Sequence, residues 1–216
     1  MPIAHLFIDT NVFLNFYHFA DDDLTELDKL IKEIGDGGIC LHIPEQVRNE
    51  LARNRESKLK SATDEFSKHP LPAGVPRHMQ TYTQYADYIA AIEQAKKLRG
   101  QLISIALADA SNQTLQTDVL LRDLFAKSAR YAEDDEVFGL ALQRAQRGNP
   151  PGKAGSVGDQ YNWEMLLKMV PDGDLHIVSR DGDYSSLLNK TRPHPSLETE
   201  WMEKKGFFTD FRETQP

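Results

Sequence analysis

Four short segments of the chain place acidic side chains where a predicted strand or loop ends. Asp9 directly follows the apolar run 5–8, and Asp181 lies two residues after the run 175–179. Because the carboxyl ends of parallel strands meet at one edge of a sheet, these two carboxylates are expected to converge there. Glu50 lies on a predicted helix next to its apolar stripe, and Asp159 opens another helix after a glycine-rich loop.

Taken singly, each of these acids has an ordinary explanation as a turn residue, a helix N-cap or a solvated helix residue. Together, three or four carboxylates in one crevice repel one another unless a cation lies between them. Oxygen ligands without cysteine or paired histidine select Mg²⁺ or Mn²⁺ rather than zinc. A site of this kind suits phosphoryl transfer to water, in which the metal orients the water and stabilises charge on the phosphate.

The elements that must position these acids alternate along the chain. Apolar runs at 5–8, 39–43 and 175–179 predict strands, and amphipathic patterns predict helices at 24–34, 45–66, 159–170 and 196–205. Asp22 and Asp23 are predicted N-caps, and Phe207 and Phe208 predict the start of an edge strand. This order favours a parallel sheet with right-handed crossovers, and hence an α/β fold.

The middle of the chain has a different pattern. Between proline- and glycine-rich loops at 69–76 and 148–158, residues 81–147 show helical spacing and no strand signal. We interpret 1–216 as a single domain, a size consistent with one to one and a half typical domains. Two or three helices at 77–147 would then form an insertion within it.

Charge and composition exclude several classes of protein. The formal charge of −8 argues against a non-specific duplex-binding surface, which is normally basic. Bases that flank the acidic segments in sequence predict a local rim for a polyanionic substrate; they are Arg48, Arg147, Lys153 and Arg180. The start MPIAHLFIDTN lacks a basic n-region and the apolar runs are far too short to span a bilayer, so a soluble cytoplasmic protein is expected.

Other chemical motifs are incomplete. GNPPGKAG is one residue short of a phosphate-binding loop and lacks its final Ser or Thr, and no G-x-S-x-G elbow occurs. The seven histidines show no H-E-x-x-H or other ligand spacing. The single cysteine, Cys40, excludes multi-cysteine zinc sites and is interpreted as a small core residue.

HLFIDTNVFL, IPEQVRNEL, GDQYNW and HIVSRDGDY, in this order, resemble the four acidic motifs of the PIN-domain ribonucleases. The helical middle and the GDxxNW element are most similar to larger bacterial members of that family. The resemblance implies a three-layer α/β/α fold with a mostly parallel central sheet. It also implies Mg²⁺- or Mn²⁺-dependent phosphodiester hydrolysis, usually of RNA.

The resemblance also implies roles for individual residues. The matched catalytic and metal-binding acids are Asp9, Glu50, Asp159 and Asp181, with Asp183 as a fourth or additional ligand. Asn11 matches the polar residue of the D-T-N turn, and Thr10 and Asn11 are expected to support Asp9. One or two ions would bind.

Two other functions stay open at this point. A haloacid-dehalogenase-like phosphatase also has an Asp after its first strand, but it expects a second Asp where this chain has Asn11. A non-catalytic PIN-like module that binds RNA or protein is disfavoured because all four acids are present. The expected partners are RNA rather than DNA, and the sequence leaves open an inhibitory or regulatory protein and a second copy of the chain.

Overall fold

The computed structural model describes residues 3–18, 24–72, 74–153, 155–205 and 209–213. Its strands are β1 (Ala4–Ile8), β2 (Ile39–Pro44), β3 (Ala129–Tyr131), β4 (Leu175–Ser179) and β5 (Thr209–Glu213). Its α-helices are α1 (Thr10–Asn15), α2 (Leu24–Gly35), α3 (Glu45–Lys68), α4 (Gln84–Asn112), α5 (Gln116–Lys127), α6 (Asp135–Gln146), α7 (Gly158–Met169) and α8 (Pro195–Lys205). Two short 3-10 turns cover Arg77–Met79 and Gly182–Tyr184.

The strands form one parallel sheet in the order β3-β2-β1-β4-β5. In this register His5 of β1 pairs with Cys40 of β2 on one side and with Leu175 of β4 on the other. After β1 the chain adds β2 and then β3 on one side of that strand. It then returns to add β4 and β5 on the other side. Ligand crevices in open α/β sheets form at such a reversal, outside the carboxyl ends of the strands.

Helices cover both faces of the sheet, because successive strand side chains point to opposite sides and both sets are apolar. On one face α2 packs against α5, and Leu27, Ile31 and Leu124 belong to the main core. On the other face α7 contacts both α6 and α8. The predicted α/β fold with three layers is therefore confirmed.

The prediction for the middle of the chain was wrong in one respect. Residues 81–147 contain three α-helices as expected, but they also contain the strand β3. Three residues are too few to show alternation, and β3 is a strand because it pairs with the edge of β2. Helices α5 and α6 belong to the two helix layers, and α4 packs on α3. The domain bounds 1–216 and 77–147 stay predictions.

Two sequence predictions fall outside the described residues. The predicted caps Asp22 and Asp23 lie outside them, as do Phe207 and Phe208 at the expected start of the edge strand; β5 itself is described. None of the described helices combines the length and the apolar composition that a bilayer crossing requires.

Candidate active site

Asp9 directly follows β1 and is the N-cap of α1. Its Oδ1 accepts the backbone N–H of Thr10 at 2.7 Å. Its Oδ2 accepts the Asn11 amide at 2.7 Å and the Ser179 hydroxyl at 2.8 Å. Asp9 is only 4% exposed, so three hydrogen bonds hold its carboxylate in one orientation at the carboxyl end of β1.

The loop after β4 is tied to the turn that carries Asp9. Asn11 Oδ1 accepts the backbone N–H of Arg180 at 3.0 Å, and Ser179 Oγ accepts that of Asp181 at 3.0 Å. The backbone N–H of Asp9 donates to the Val178 carbonyl at 2.9 Å. Because these bonds connect the ends of two adjacent strands, they bring Asp181 to the same edge of the sheet as Asp9.

Glu50 reaches this edge from α3. Helix α3 begins directly after β2, and its apolar side, which carries Val47 and Leu51, is buried. Glu50 is half-buried, and its Oε2 accepts the Thr10 hydroxyl at 3.1 Å. Thr10 therefore links the first acidic segment to the second, in the supporting position that the sequence predicts for it.

Asp159 and Asp183 complete the group. Asp159 is the second residue of α7, and Asp183 lies in the 3-10 turn after β4. Asp159 interacts electrostatically with the acids of the other three segments. The carboxylates that share this cleft are Asp9, Glu50, Asp159, Asp181 and Asp183.

Burial, together with repulsion within the cleft, raises the pKa values of its acids. Burial, followed by the charges of Glu50 and Asp181, raises the pKa of Asp9 to about 6, although hydrogen bonds from Ser179 and Thr10 oppose the shift. Burial and the neighbouring carboxylates raise the pKa of Asp159 to about 7. The cleft therefore holds more negative charge than its own hydrogen bonds stabilise.

One lysine partly balances this charge. Lys153 Nζ lies 2.9 and 3.1 Å from the two carboxylate oxygens of Asp181 and 3.8 Å from Asp183 Oδ2. The loop that carries Lys153 packs against Gln160 of α7 at Gly152, whose φ is +97°. A Cβ there would lie 2.5 Å from Gln160 Nε2, so this close approach requires glycine.

A family model described as PIN domain matches residues 6–184, the span that contains all five carboxylates. The chain belongs to the PIN domain family. No curated protein and no solved structure matches it. PIN domains form a superfamily of metal-dependent nucleases, which places this PIN domain among the hydrolases and makes a divalent ion its expected cofactor.

The donors of this PIN domain fit a divalent cation. All five candidate ligands are carboxylates, which supply the hard oxygen atoms that Mg²⁺ and Mn²⁺ prefer. Burial and neighbouring carboxylates raise the pKa values of Asp9 and Asp159, and a bound cation would neutralise the charge of those neighbours. Within the described residues no three of them bring oxygens within 4.8 Å of one another, so in this arrangement at most two of them can contact one ion directly.

The four predicted rim bases lie in different environments. Lys153 contacts the cleft acids directly, and Arg180 follows β4 with its backbone bound to Asn11. Arg147 is exposed at the C-terminal end of α6. Arg48 Nη1 bonds Glu45 at 2.8 Å. Since residues two apart on a helix point about 200° apart, Arg48 and Glu50 face different sides of α3, and a place for Arg48 in the rim stays a prediction.

A cavity of about 330 Å³ opens beside the acids of the PIN domain, between α3, α6 and α7. Its lining includes Gly158, which directly precedes Asp159, and the rings of Phe138 and Tyr161, whose centroids lie 6.3 Å apart. The other lining residues are Gln46, Val157 and three acids, Glu133, Asp134 and Asp135.

Sequence reasoning missed three polar residues at the site. Ser179 is fully buried and bonds Asp9, but a serine at a strand end carries no signal of its own. The Asn162 amide and the Tyr184 hydroxyl are buried without a hydrogen-bond partner in the described part of the chain. Asn162 lies one turn after Asp159 on α7, and the charges of Asp159 and Asp9 act on Tyr184.

Proposed function

We propose that this PIN domain is a Mg²⁺- or Mn²⁺-dependent endoribonuclease that hydrolyses phosphodiester bonds in single-stranded or structured RNA. The ligands would be Asp9, Glu50, Asp159, Asp181 and Asp183. The observation that carries the proposal is the convergence of these five carboxylates, with raised pKa values at Asp9 and Asp159, at the carboxyl edge of a parallel sheet.

The bound ion would supply Lewis acidity and an oriented water at the scissile phosphate. The residues of the chain supply rigidity. Ser179 and Asn11 fix the Asp9 carboxylate, and Thr10 fixes that of Glu50. Because these carboxylates are already oriented, little reorganisation is needed as charge develops on the phosphate.

Single-stranded RNA suits the cavity beside the cleft. A base must leave its stack to enter a pocket, and single-stranded loops and ends allow this. Phe138, which is 48% exposed, offers aromatic surface for such a base, since base–aromatic stacking contributes about 1–3 kcal/mol per base. The preference for RNA over DNA rests on the resemblance to PIN-domain ribonucleases.

The experiment is cleavage of matched, end-labelled single-stranded RNA and DNA by the purified protein with Mg²⁺, Mn²⁺ or EDTA. We expect internal cuts in RNA that EDTA abolishes and that Asp9→Asn abolishes. Asp87→Asn, which removes an exposed carboxylate from α4, is the matched control and should cleave normally. RNA binding without cleavage under every metal condition would instead support a non-catalytic module.

A further inference from the structure

A second group of potential metal ligands lies away from the acidic cleft, on the sheet face that carries Phe7. The parallel register pairs His5 of β1 with Cys40 of β2, and His42 follows two residues later on the same strand. Because strand side chains alternate, His5, Cys40 and His42 project from the same face of the sheet.

The donor atoms of these three residues meet at one point. His5 Nδ1 lies 2.9 Å from His42 Nε2, and both nitrogens and Cys40 Sγ lie within 4.8 Å of one another. In the part of the chain that the structure describes, no other group of three or more His, Cys, Asp and Glu residues meets this criterion. The two ring nitrogens share a hydrogen bond, and an ion that replaced its proton would have two imidazole nitrogens and one sulfur within reach.

The surroundings of His42 are typical of a metal-binding histidine. Its ring is 1% exposed, and its other nitrogen, Nδ1, is hydrogen-bonded to the Tyr131 hydroxyl. When Nδ1 carries the proton and donates it to Tyr131, the Nε2 lone pair points toward His5 and Cys40. Metal-ligating histidines almost always use their second nitrogen in this way.

The group is buried on one side and partly exposed on the other. His42 is buried, whereas His5 and Cys40 are half-buried. An ion can therefore approach the three donor atoms from the side of His5 and Cys40.

We propose that His5, Cys40 and His42 form a zinc-binding site that connects β1 to β2. Two imidazoles and a thiolate match the borderline-soft Zn²⁺ and not the oxygen-preferring Mg²⁺ or Mn²⁺. An ion bound to both strands exists only in the folded protein, and so it stabilises the fold. The site is separate from the proposed nuclease centre, since His5 precedes Asp9 by one strand length.

The test is titration of metal-depleted full-length protein with Co²⁺, which replaces Zn²⁺ and absorbs light. Cys40 is the only cysteine, so a thiolate-to-cobalt charge-transfer band in the near ultraviolet reports this site alone. We expect the band to saturate at one equivalent and to disappear when one equivalent of Zn²⁺ is added. The nearly isosteric Cys40→Ser should lose the band, and Asp9→Asn should keep it.

Two further variants sharpen the test. Tyr131→Phe removes only the hydrogen bond to His42 Nδ1 and should weaken Zn²⁺ affinity about 10–100-fold. Zn²⁺ should raise the melting temperature of the wild-type protein and leave that of Cys40→Ser unchanged. The absence of a charge-transfer band in wild-type protein, or an equal response of wild type and Cys40→Ser to Zn²⁺, would overturn the proposal without affecting the nuclease assignment.

Discussion

Two regions of the molecule bury carboxylates in opposite ways. In the cleft, Asp9 and Asp159 are surrounded by other acids, and the nearby Lys153 is largely exposed. Behind α7, the guanidinium of Arg144 bonds Glu164 at 2.7 Å and Glu200 at 2.6 Å.

The two regions shift the pKa values of their acids in opposite directions. Burial alone would raise the pKa of Glu200, but hydrogen bonds from Arg144 and Trp163 overcome this effect and lower it. At Asp9 and Asp159 burial and like charges act in the same direction and raise the pKa. We conclude that the Arg144 network stabilises the fold, whereas the cleft acids are held together at a cost in stability that a bound cation would remove.

The largest expected effect separates the two regions by activity. Asp159→Asn should lower the rate of RNA cleavage on the order of 10²–10³-fold, because it removes a ligand of the ion that would stabilise charge on the reacting phosphate. The same variant should raise the metal-free melting temperature. Glu200→Gln is the control: it should retain cleavage and melt at a lower temperature. A cleavage rate unchanged by Asp159→Asn would contradict the role of this acid.

Removal of Arg144 should affect stability most. Arg144→Met leaves the buried Glu164 without its cation and Glu200 with only the half-exposed Lys204 at 3.3 Å, and such a loss costs about 3–5 kcal/mol of unfolding free energy. Urea unfolding of the wild type and the variant measures this difference in the free energy of unfolding. Arg147→Met on the same helix removes an exposed charge and should change stability by less than about 0.5 kcal/mol. Similar values for the two variants would show that the Arg144 network is not stabilising.

The pH dependence of metal-free stability should follow the cleft acids. The folded pKa values of about 6 for Asp9 and 7 for Asp159 lie above the unfolded value of 3.8. Between these limits the folded state binds more protons, so its stability falls as the pH rises. From pH 5 to pH 8 we expect a loss of roughly 4 kcal/mol in the free energy of unfolding, since each pH unit between 5 and the folded pKa contributes about 1.4 kcal/mol for each acid.

Denaturant unfolding at a series of pH values measures this slope. Asp159→Asn should flatten it, whereas Asp87→Asn should leave it unchanged. If the free energy of unfolding of the metal-free wild-type protein rises from pH 5 to pH 8, the fold does not raise the pKa values of the cleft acids.

The smallest effect concerns Lys153, the exposed cation of the cleft. Lys153→Ala should weaken binding of single-stranded RNA a few-fold in EDTA and reduce the salt slope of affinity by about 1. It should leave the melting temperature nearly unchanged. Lys60→Ala, which removes an exposed lysine paired with Asp64 on α3, is the matched control. Equal RNA affinity and salt slope in both variants would remove Lys153 from the substrate rim.

Much of the fold could be predicted from the chain because its signals are local. The apolar runs that end at Asp9 and near Asp181 predicted β1 and β4, and Pro44 marked the start of α3. The strand β3 could not be predicted, since it depends on pairing with β2 and not on its own three residues.

The site was predictable where a residue type alone indicates chemistry. The sequence indicated the carboxylates together with Thr10 and Asn11, but it did not indicate Ser179, which gains its role only from the position of β4 beside β1. Cys40 was interpreted as a small core residue, and the histidines as lacking ligand spacing. His5 and His42 are 37 residues apart in the chain and meet only through strand pairing, which no spacing rule detects.

The central claim is that the cleft carboxylates bind a divalent ion, and Mn²⁺ binding measured by electron paramagnetic resonance tests it most directly. Wild-type protein should bind one or two Mn²⁺ ions, and Asp9→Asn and Asp159→Asn should each weaken this binding at least tenfold. Cys40→Ser and Asp87→Asn should bind as the wild type does. Equal Mn²⁺ affinity in the wild type and in both cleft variants would contradict the account.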